Sequence, residues 1–342
     1  MASHRRPKQP TRARVTVLTS VAAAAVALTA QSASAAPAKP SKDEVKSQVD
    51  ALYEEAEQAT EKFNGAKERQ ATLEKEIGQI QDQVARGQSE LNDLRSALGS
   101  MASAQYRSGG IDPSLALLLS ADPDGYLDKA STLEHLSGKQ VEAVQKIQAK
   151  QRTLAQQRQE ASGKLADLDA TRKELAEKKK VSSEKLAAAQ AILNTLTAQE
   201  RAALKDEETR ASRAAGQRVD LGDVKASGRA GAALAAAKTK VGSAYISGHE
   251  GPNSFDCSGL TQWAYKQAGV NISRVTYTQA NDGTRISRSQ LQPGDLVFFY
   301  GDLHHVGLYA GNNMTLHASN PRGGVKYESM DNMPFQFGVR IG

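Results

Sequence analysis

From residue 45 to residue 101 apolar side chains recur at alternating steps of four and three. The series runs from Val45, Val49 and Leu52 through Ile77 and Ile80 to Leu98 and Met101, and within it only Gln70 and Gly87 are not apolar. Glu, Lys, Gln and Asp fill the positions between. Such spacing over about eight heptads predicts a coiled-coil helix with one apolar seam, roughly 85 Å long at about 1.5 Å per residue. A second seam runs from Val144 and Ile147 through Leu154, Ala161, Leu165 and Leu168 to Leu193, Leu196 and Ala203. It is more often interrupted, with Gln151, Arg158, Arg172, Lys179 and Ser182 at seam positions. Two seams joined by a short break predict an antiparallel helical hairpin over residues 36–204.

The break is itself patterned. Ser108-Gly109-Gly110 ends the first helix, and Asp112-Pro113 reads as an N-cap followed by Pro at the first helical position. Leu115, Leu117, Leu118 and Leu119 follow, up to Asp122-Pro123. This predicts a short apolar helix at a hairpin tip near 108–125, either folded back on the rod or exposed as a docking surface. From 205 to 229 the seam stops. Charges, Ser, Gly216, Gly222 and Gly228 read as a linker.

After residue 230 the period changes. Ala230 to Val241 is Ala-rich and helical in composition. Leu260, Trp263, Ala264, Tyr265 and Ala268 follow at helical spacing. Leu296 to Tyr300, His305 to Tyr309, Met314 to Ala318, Val325 to Tyr327 and Phe337 to Ile341 read as strands of a small antiparallel sheet. Twelve of the 16 aromatic residues fall within 226–342, which places the packed core there. The fold class expected is α+β at the C-terminus, behind a long helical hairpin.

Charge changes the picture at one end only. The formal net charge is +6, but Arg5, Arg6, Lys8, Arg12 and Arg14 stand in the first 35 residues with no acid among them. Without them the chain is nearly neutral, so no basic surface remains to track nucleic acid. Those residues precede an Ala-rich apolar run, Val15 to Ala30, and then Ala33-Ser34-Ala35. That order is a secretory signal peptide, residues 1–35, and predicts a secreted, extracytoplasmic protein.

Export sharpens the meaning of the lone cysteine, Cys257. Ser254-Phe255-Asp256-Cys257-Ser258-Gly259-Leu260 puts it at a helix start, where backbone N–H groups and the helix dipole favour a thiolate. Two histidines have the spacing to serve it. A three-residue hairpin loop at Ala310, Gly311 and Asn312 would set His305 directly opposite His317 on one face, with His304 on the other face as a surface neighbour. A two-residue Asn312-Asn313 loop would break that register. A thiol, an imidazole and a polar group to orient it form a nucleophile–base set. His249 reads as a loop residue, nothing near it has metal-site spacing, and no metal or cofactor is expected.

Residues 230–342 resemble the NlpC/p60 family, papain-like cysteine peptidases of the bacterial cell wall. The resemblance lies in Phe255 to Leu260, in Leu291-Gln292-Pro293-Gly294-Asp295-Leu296-Val297-Phe298-Phe299, in His305-Val306-Gly307-Leu308-Tyr309 and in His317-Ala318. It implies that Cys257 is the nucleophile, His305 the base and His317 its orienting partner. Tyr245 would then help hold the oxyanion, and Asp256 and Ser258 would contact the substrate. The implied substrate is the peptidoglycan stem peptide, cut between D-γ-glutamate and the diamino acid. This chain departs from the family at Ser247, where a Trp is usual. Export followed by a long hairpin is similar to cell-division hydrolases of the family, and implies a membrane-bound division complex as partner. The alternatives are an amidase acting between muramic acid and L-alanine, and a non-catalytic adaptor with an inactive domain. The hairpin is large for catalysis alone, which raises the expectation that it occludes the cleft.

Overall fold

The structure is a computed structural model that describes residues 40–107, 119, 123–219 and 228–342, and from Ser41 onward it forms one compact unit. The leader at 1–35 and the tip residues Asp112, Pro113, Leu115, Leu117 and Leu118 lie outside the described residues. Leu119 is described and exposed.

Two long helices, α1 (Lys42–Arg107) and α2 (Pro123–Leu193), run side by side. Their cross-links show an antiparallel pair. Glu55 of α1 meets Lys185, Arg69 meets Glu174, Glu76 meets Lys164, and Glu90 meets Lys150. On α1 the seam faces inward, with Val45, Val49, Ala56, Ala66, Ile77, Ile80 and Leu91 buried. On α2 it differs from the expectation. Leu154, Leu168 and Ala189 are buried, but Leu165 is half exposed and Arg158, Arg172 and Lys179 face solvent. The inward positions between the apolar ones are Lys150, Gln157, Lys164, Thr171 and Lys178, each one residue earlier than predicted. The seam is turned by one residue because lysine stems can lie along the groove while their amines reach Glu90 and Glu76.

The stretch expected as a linker from 205 is helical to Arg218. Four residues after α2 ends, Thr197 and Glu200 form a capping box that starts α3 (Ala198–Arg218). Helix α3 packs on the C-terminal sheet: Ala215 and Val219 join its core, and the Tyr327 ring lies against Gly216. Charge and scattered glycine concealed a helix that is polar on its outer face only.

The C-terminal region begins with α4 (Gly228–Lys238), then β1 (Ala244–Tyr245) and β2 (Ser254–Phe255) as a parallel pair, α5 (Cys257–Gln267) and α6 (Thr276–Gln279). Six strands follow: β3 (Thr284–Ile286), β4 (Leu296–Phe299), β5 (His305–Gly311), β6 (Met314–Ala318), β7 (Val325–Ser329) and β8 (Phe335–Arg340). They form one antiparallel sheet in the order β3-β8-β4-β5-β6-β7. Helices α4 and α5 cover one face through Leu234, Leu260, Ala264 and Tyr265, against Leu296, Phe298, Leu308 and Leu316. Strand β3 was not anticipated, since its Thr284-Arg285-Ile286 is short, exposed and not alternating.

The β5–β6 turn decides where the histidines go. It is a two-residue turn with Asn312 and Asn313 both at positive φ, and not the three-residue loop expected. The ladder pairs Gly311 with Met314 but Tyr309 with Thr315 and Leu308 with Leu316, so Ala310 is a bulge. That extra residue restores the parity the short turn would have broken. Continuing the register puts Gly307, not His305, opposite His317. His305 is then the diagonal neighbour on the same face, within imidazole reach. Gly307 is required there, because a Cβ on it would stand 2.3 Å from the Thr315 hydroxyl and 3.1 Å from the His317 Cβ.

Candidate active site

Asp256 caps α5 by accepting the Gly259 N–H at 2.7 Å, so Cys257 is the first residue of that helix. Its Sγ, a ring nitrogen of His305 and a carboxylate oxygen of Glu57 lie within 4.8 Å of one another. His305 and His317 stand edge-to-face, and Nε2 of His305 is 2.6 Å from Nδ1 of His317. All three expected residues are therefore together and buried. His304, expected at the surface, is buried too. Its Nδ1 is 2.5 Å from Asp302 and its ring stacks on Tyr300. Leu303 at positive φ turns the chain just before it, folding that imidazole back under the sheet end. His249 is an exposed loop residue hydrogen-bonded to Ser254.

Asp256 and Ser258 sit in a buried polar cluster around Arg274. The guanidinium donates to both Asp256 oxygens, at 3.1 and 2.7 Å, to Ser258 Oγ at 2.8 Å and to Glu250 at 2.9 Å. Tyr245 is buried beside the site, and burial, then the charges of Glu57 and Cys257, hold its phenol well above the usual range. Sequence reasoning did not identify Arg274. It stands alone in a loop with no spacing to mark it.

The larger surprise comes from α1. One of its faces enters the cleft with a stripe of polar side chains at helical spacing: Glu57, Thr60, Glu61 and Asn64. Glu57 Oε1 is 2.6 Å from His305 Nδ1. Glu61 accepts from Ser258 Oγ at 2.6 Å and from the Thr276 N–H at 2.7 Å, and lies 3.9 Å from Cys257 Sγ. Asn64 donates to Asp256 at 3.0 Å, and Thr60 meets the Ser247 hydroxyl at 2.5 Å. The Tyr277 hydroxyl occupies the space over Gly65 where a side chain would stand. Beside Glu57 a cavity of about 680 Å³ remains, lined by Glu54, Tyr300, His305, His317 and Glu328 among others.

These neighbours set the electrostatics. Burial, then Glu57 and Glu61, push the Cys257 thiol well above its usual range. The lowering expected from the helix start is thus reversed, first by burial and then by two carboxylates the sequence did not place there. Burial opposes a proton on His305, but Glu57 beside it prevails and raises that imidazole. Burial, then the Asp256 charge, push Glu61 up to about 7. In this arrangement the proton sits on the sulfur, and the imidazole that would take it is paired with Glu57.

The NlpC/P60 family matches residues 242–339, the stretch that contains Cys257, His305 and His317. Residues 242–339 are an NlpC/P60 domain. A probable endopeptidase of Corynebacterium glutamicum is 49% identical over 106 residues, which is 31% of this chain and 51% of that protein. The probable endopeptidase p60 of Listeria monocytogenes is 44% identical over 99 residues, 28% of this chain and 20% of that protein. The matched stretch thus spans about half of the first relative and a fifth of the second. Among solved structures, the NlpC/p60 domain of the peptidoglycan hydrolase SagA is 36% identical, covers 33% of this chain and 98% of that one, and has a TM-score of 0.32. The helical hairpin that supplies Glu57 and Glu61 lies outside the NlpC/P60 match.

Proposed function

We propose that this chain is an exported peptidoglycan endopeptidase that cuts stem peptides between D-γ-glutamate and the diamino acid, and that α1 holds it latent. The observation that carries the reading is the buried cluster of Cys257, His305 and His317 at the start of α5, within an NlpC/P60 domain. Once α1 leaves, His305 Nδ1 takes the Cys257 proton and the thiolate attacks the amide carbonyl. The Cys257 N–H and the Tyr245 hydroxyl are the candidate oxyanion donors, each typically worth about 3 kcal/mol. The imidazolium then protonates the leaving amine, and water hydrolyses the thioester. The Asp256, Ser258 and Arg274 cluster faces the acyl side, where a free amine and a carboxylate of the substrate would be read.

Latency is supported by the same geometry. Glu57 occupies the nitrogen that must receive the thiol proton, and Glu61 sits where a substrate must approach the sulfur. Ser247 is small enough to admit Thr60, at the position where the family usually has Trp. Apolar side chains left exposed, Tyr106, Leu119, Val141 and Val144, collect toward the end of the hairpin away from the domain. A membrane-bound division partner engaging that end would pull α1 and open the cleft.

The test uses purified sacculi, the mature chain, its Glu57→Ala/Glu61→Ala form and its Cys257→Ala form. The double variant should release fragments ending in D-glutamate, the unchanged chain should do so slowly, and Cys257→Ala not at all. Cleavage only between muramic acid and L-alanine would make the protein an amidase. Full lysis by Cys257→Ala would remove Cys257 as the nucleophile and with it the cysteine-peptidase reading.

A further inference from the structure

The sheet places a fourth group behind the two imidazoles. Strand β7 pairs with β6 so that Lys326 lies opposite His317 and Glu328 opposite Thr315. Opposed residues share a face, and so do alternate residues along a strand. His305, His317 and Glu328 therefore lie on one face of β5, β6 and β7, each a diagonal step from the last. The distances close the row. His305 Nε2 is 2.6 Å from His317 Nδ1, and His317 Nε2 is 3.2 Å from Glu328 Oε2.

We propose that Glu328 is a positioning residue for the nucleophile–base pair: by accepting the His317 Nε2–H it fixes the tautomer that leaves His317 Nδ1 free to accept from His305. An ionised carboxylate only accepts, so the proton of the His317–Glu328 bond belongs to His317 Nε2. A neutral imidazole with a proton on Nε2 has its lone pair on Nδ1. His305 Nε2–H must then be the donor of the 2.6 Å contact. Its Nδ1, on the side of Cys257 and Glu57, is left as the atom that exchanges a proton with the sulfur.

Glu328 is built to stay ionised. Lys326 Nζ lies 2.9 Å from the same oxygen, and Asn332 donates to the other at 3.0 Å. Burial alone would raise its pKa, but the bond from His317, the charge of Lys326 and the Asn332 bond lower it. Burial, with the charge of His305 beside it, holds His317 down to about 4 against the pull of Glu328, which keeps it neutral as the row requires. The Val325 to Tyr327 strand seen in the sequence stops one residue short of Glu328. The signal lay in Lys326-x-Glu328, two charges on one face of a half-buried strand.

This inference rests on the hydrolase reading for its meaning but not for its first measurement. The full mature chain, labelled with ¹⁵N at histidine, reports each ring's tautomer by NMR. His317 should carry its proton on Nε2 near pH 7, should keep it there in Glu328→Gln, whose amide oxygen still accepts, and should lose that preference in Glu328→Leu. A proton on Nδ1 in the unchanged chain would overturn the proposal by itself, as would an unaltered tautomer in a folded Glu328→Leu protein. The second measurement is made in the Glu57→Ala/Glu61→Ala background. There Glu328→Leu should lower kcat by about 10- to 100-fold with KM little changed, and Glu328→Gln should recover much of the loss. Equal kcat for Leu and Glu at 328 would overturn it. An inactive background with the tautomer pattern intact would count against the hydrolase reading and leave the positioning role standing.

Discussion

The two faces of α1 follow different rules. The face toward α2 is an apolar seam, with Val45, Val49, Ile77, Ile80 and Leu91 nearly sealed from water. The face toward the NlpC/P60 domain is polar, and holds Glu57, Thr60, Glu61 and Asn64 by hydrogen bonds. Apolar burial loses free energy in proportion to area when a helix leaves, and the seam offers nothing in exchange. A hydrogen-bonded contact trades its partners for water, so the net difference is small although every group is satisfied when closed. The seam is fitted to permanence and the polar stripe to release. Arg322, bonded to Asp50 of α1 and Glu208 of α3, ties the same assembly from the other side of the cleft.

That contrast can be broken from either side. The largest effect should come from the apolar core: Phe298→Ala should cost about 3–5 kcal/mol and depress the thermal midpoint strongly. If the midpoint held, Phe298 would not be the buried anchor its full burial indicates. Next comes the stripe. Glu57→Ala/Glu61→Ala removes charged hydrogen bonds worth about 3 kcal/mol together, so alkylation of Cys257 in the full chain should rise up to about 100-fold, with a smaller fall in the midpoint than Phe298→Ala gives. An unchanged alkylation rate would mean that α1 does not guard the sulfur. Ser247→Trp, which fills the space used by Thr60, should raise the same labelling by about tenfold, since overpacking typically costs about 1–3 kcal/mol. The smallest is a pH effect. The Glu61 pKa rises to about 7 on closure from the ordinary carboxylate value of 4.5, so its proton favours the closed state. That contribution is whole below the lower value and is lost as pH climbs through the upper one. Labelling of the unchanged chain divided by that of Glu61→Gln should therefore rise between pH 5 and 7 and then level. A flat ratio would show that Glu61 does not titrate with opening.

The seam itself gives a sharper check on how sequence maps to packing. Leu165→Glu should be nearly neutral by circular dichroism melting, because that side chain already faces water, whereas Leu168→Glu should destabilise the hairpin. The four-three pattern predicted both as core. Apolar spacing finds the helix and its approximate stripe, but it cannot tell Leu165 from Lys164 when a lysine stem fills the groove equally well.

What was legible in the chemistry follows the same line. Cys257, His305 and His317 could be proposed because a thiol at a helix start and histidines of matching strand parity are local properties. Even so, the turn that joins their strands is not the one expected. The Ala310 bulge, not a three-residue loop, keeps the two imidazoles on one face, and no residue announces a bulge in advance. Glu57, Glu61, Arg274 and Glu328 were invisible for a different reason. Each is a charged residue in a stretch where charge ordinarily means solvent; Glu57, Glu61 and Arg274 are buried, and Glu328 half-buried, only because another segment folds over them.

The amino-acid order by itself determined most of the elements: two long helices from a seven-residue apolar rhythm, strands from short β-branched and aromatic runs between turns, and a candidate nucleophile from its cap. Those are short-range consequences of backbone geometry and side-chain period. Only the tertiary structure decided that Glu57 meets His305 across 248 residues of chain, and that Glu61 meets Ser258 across 197. Hydrogen bonds between polar groups leave no periodic trace in a sequence. Their partners are chosen by how the packed helices and sheet are brought together, and that choice sets the charge on the sulfur.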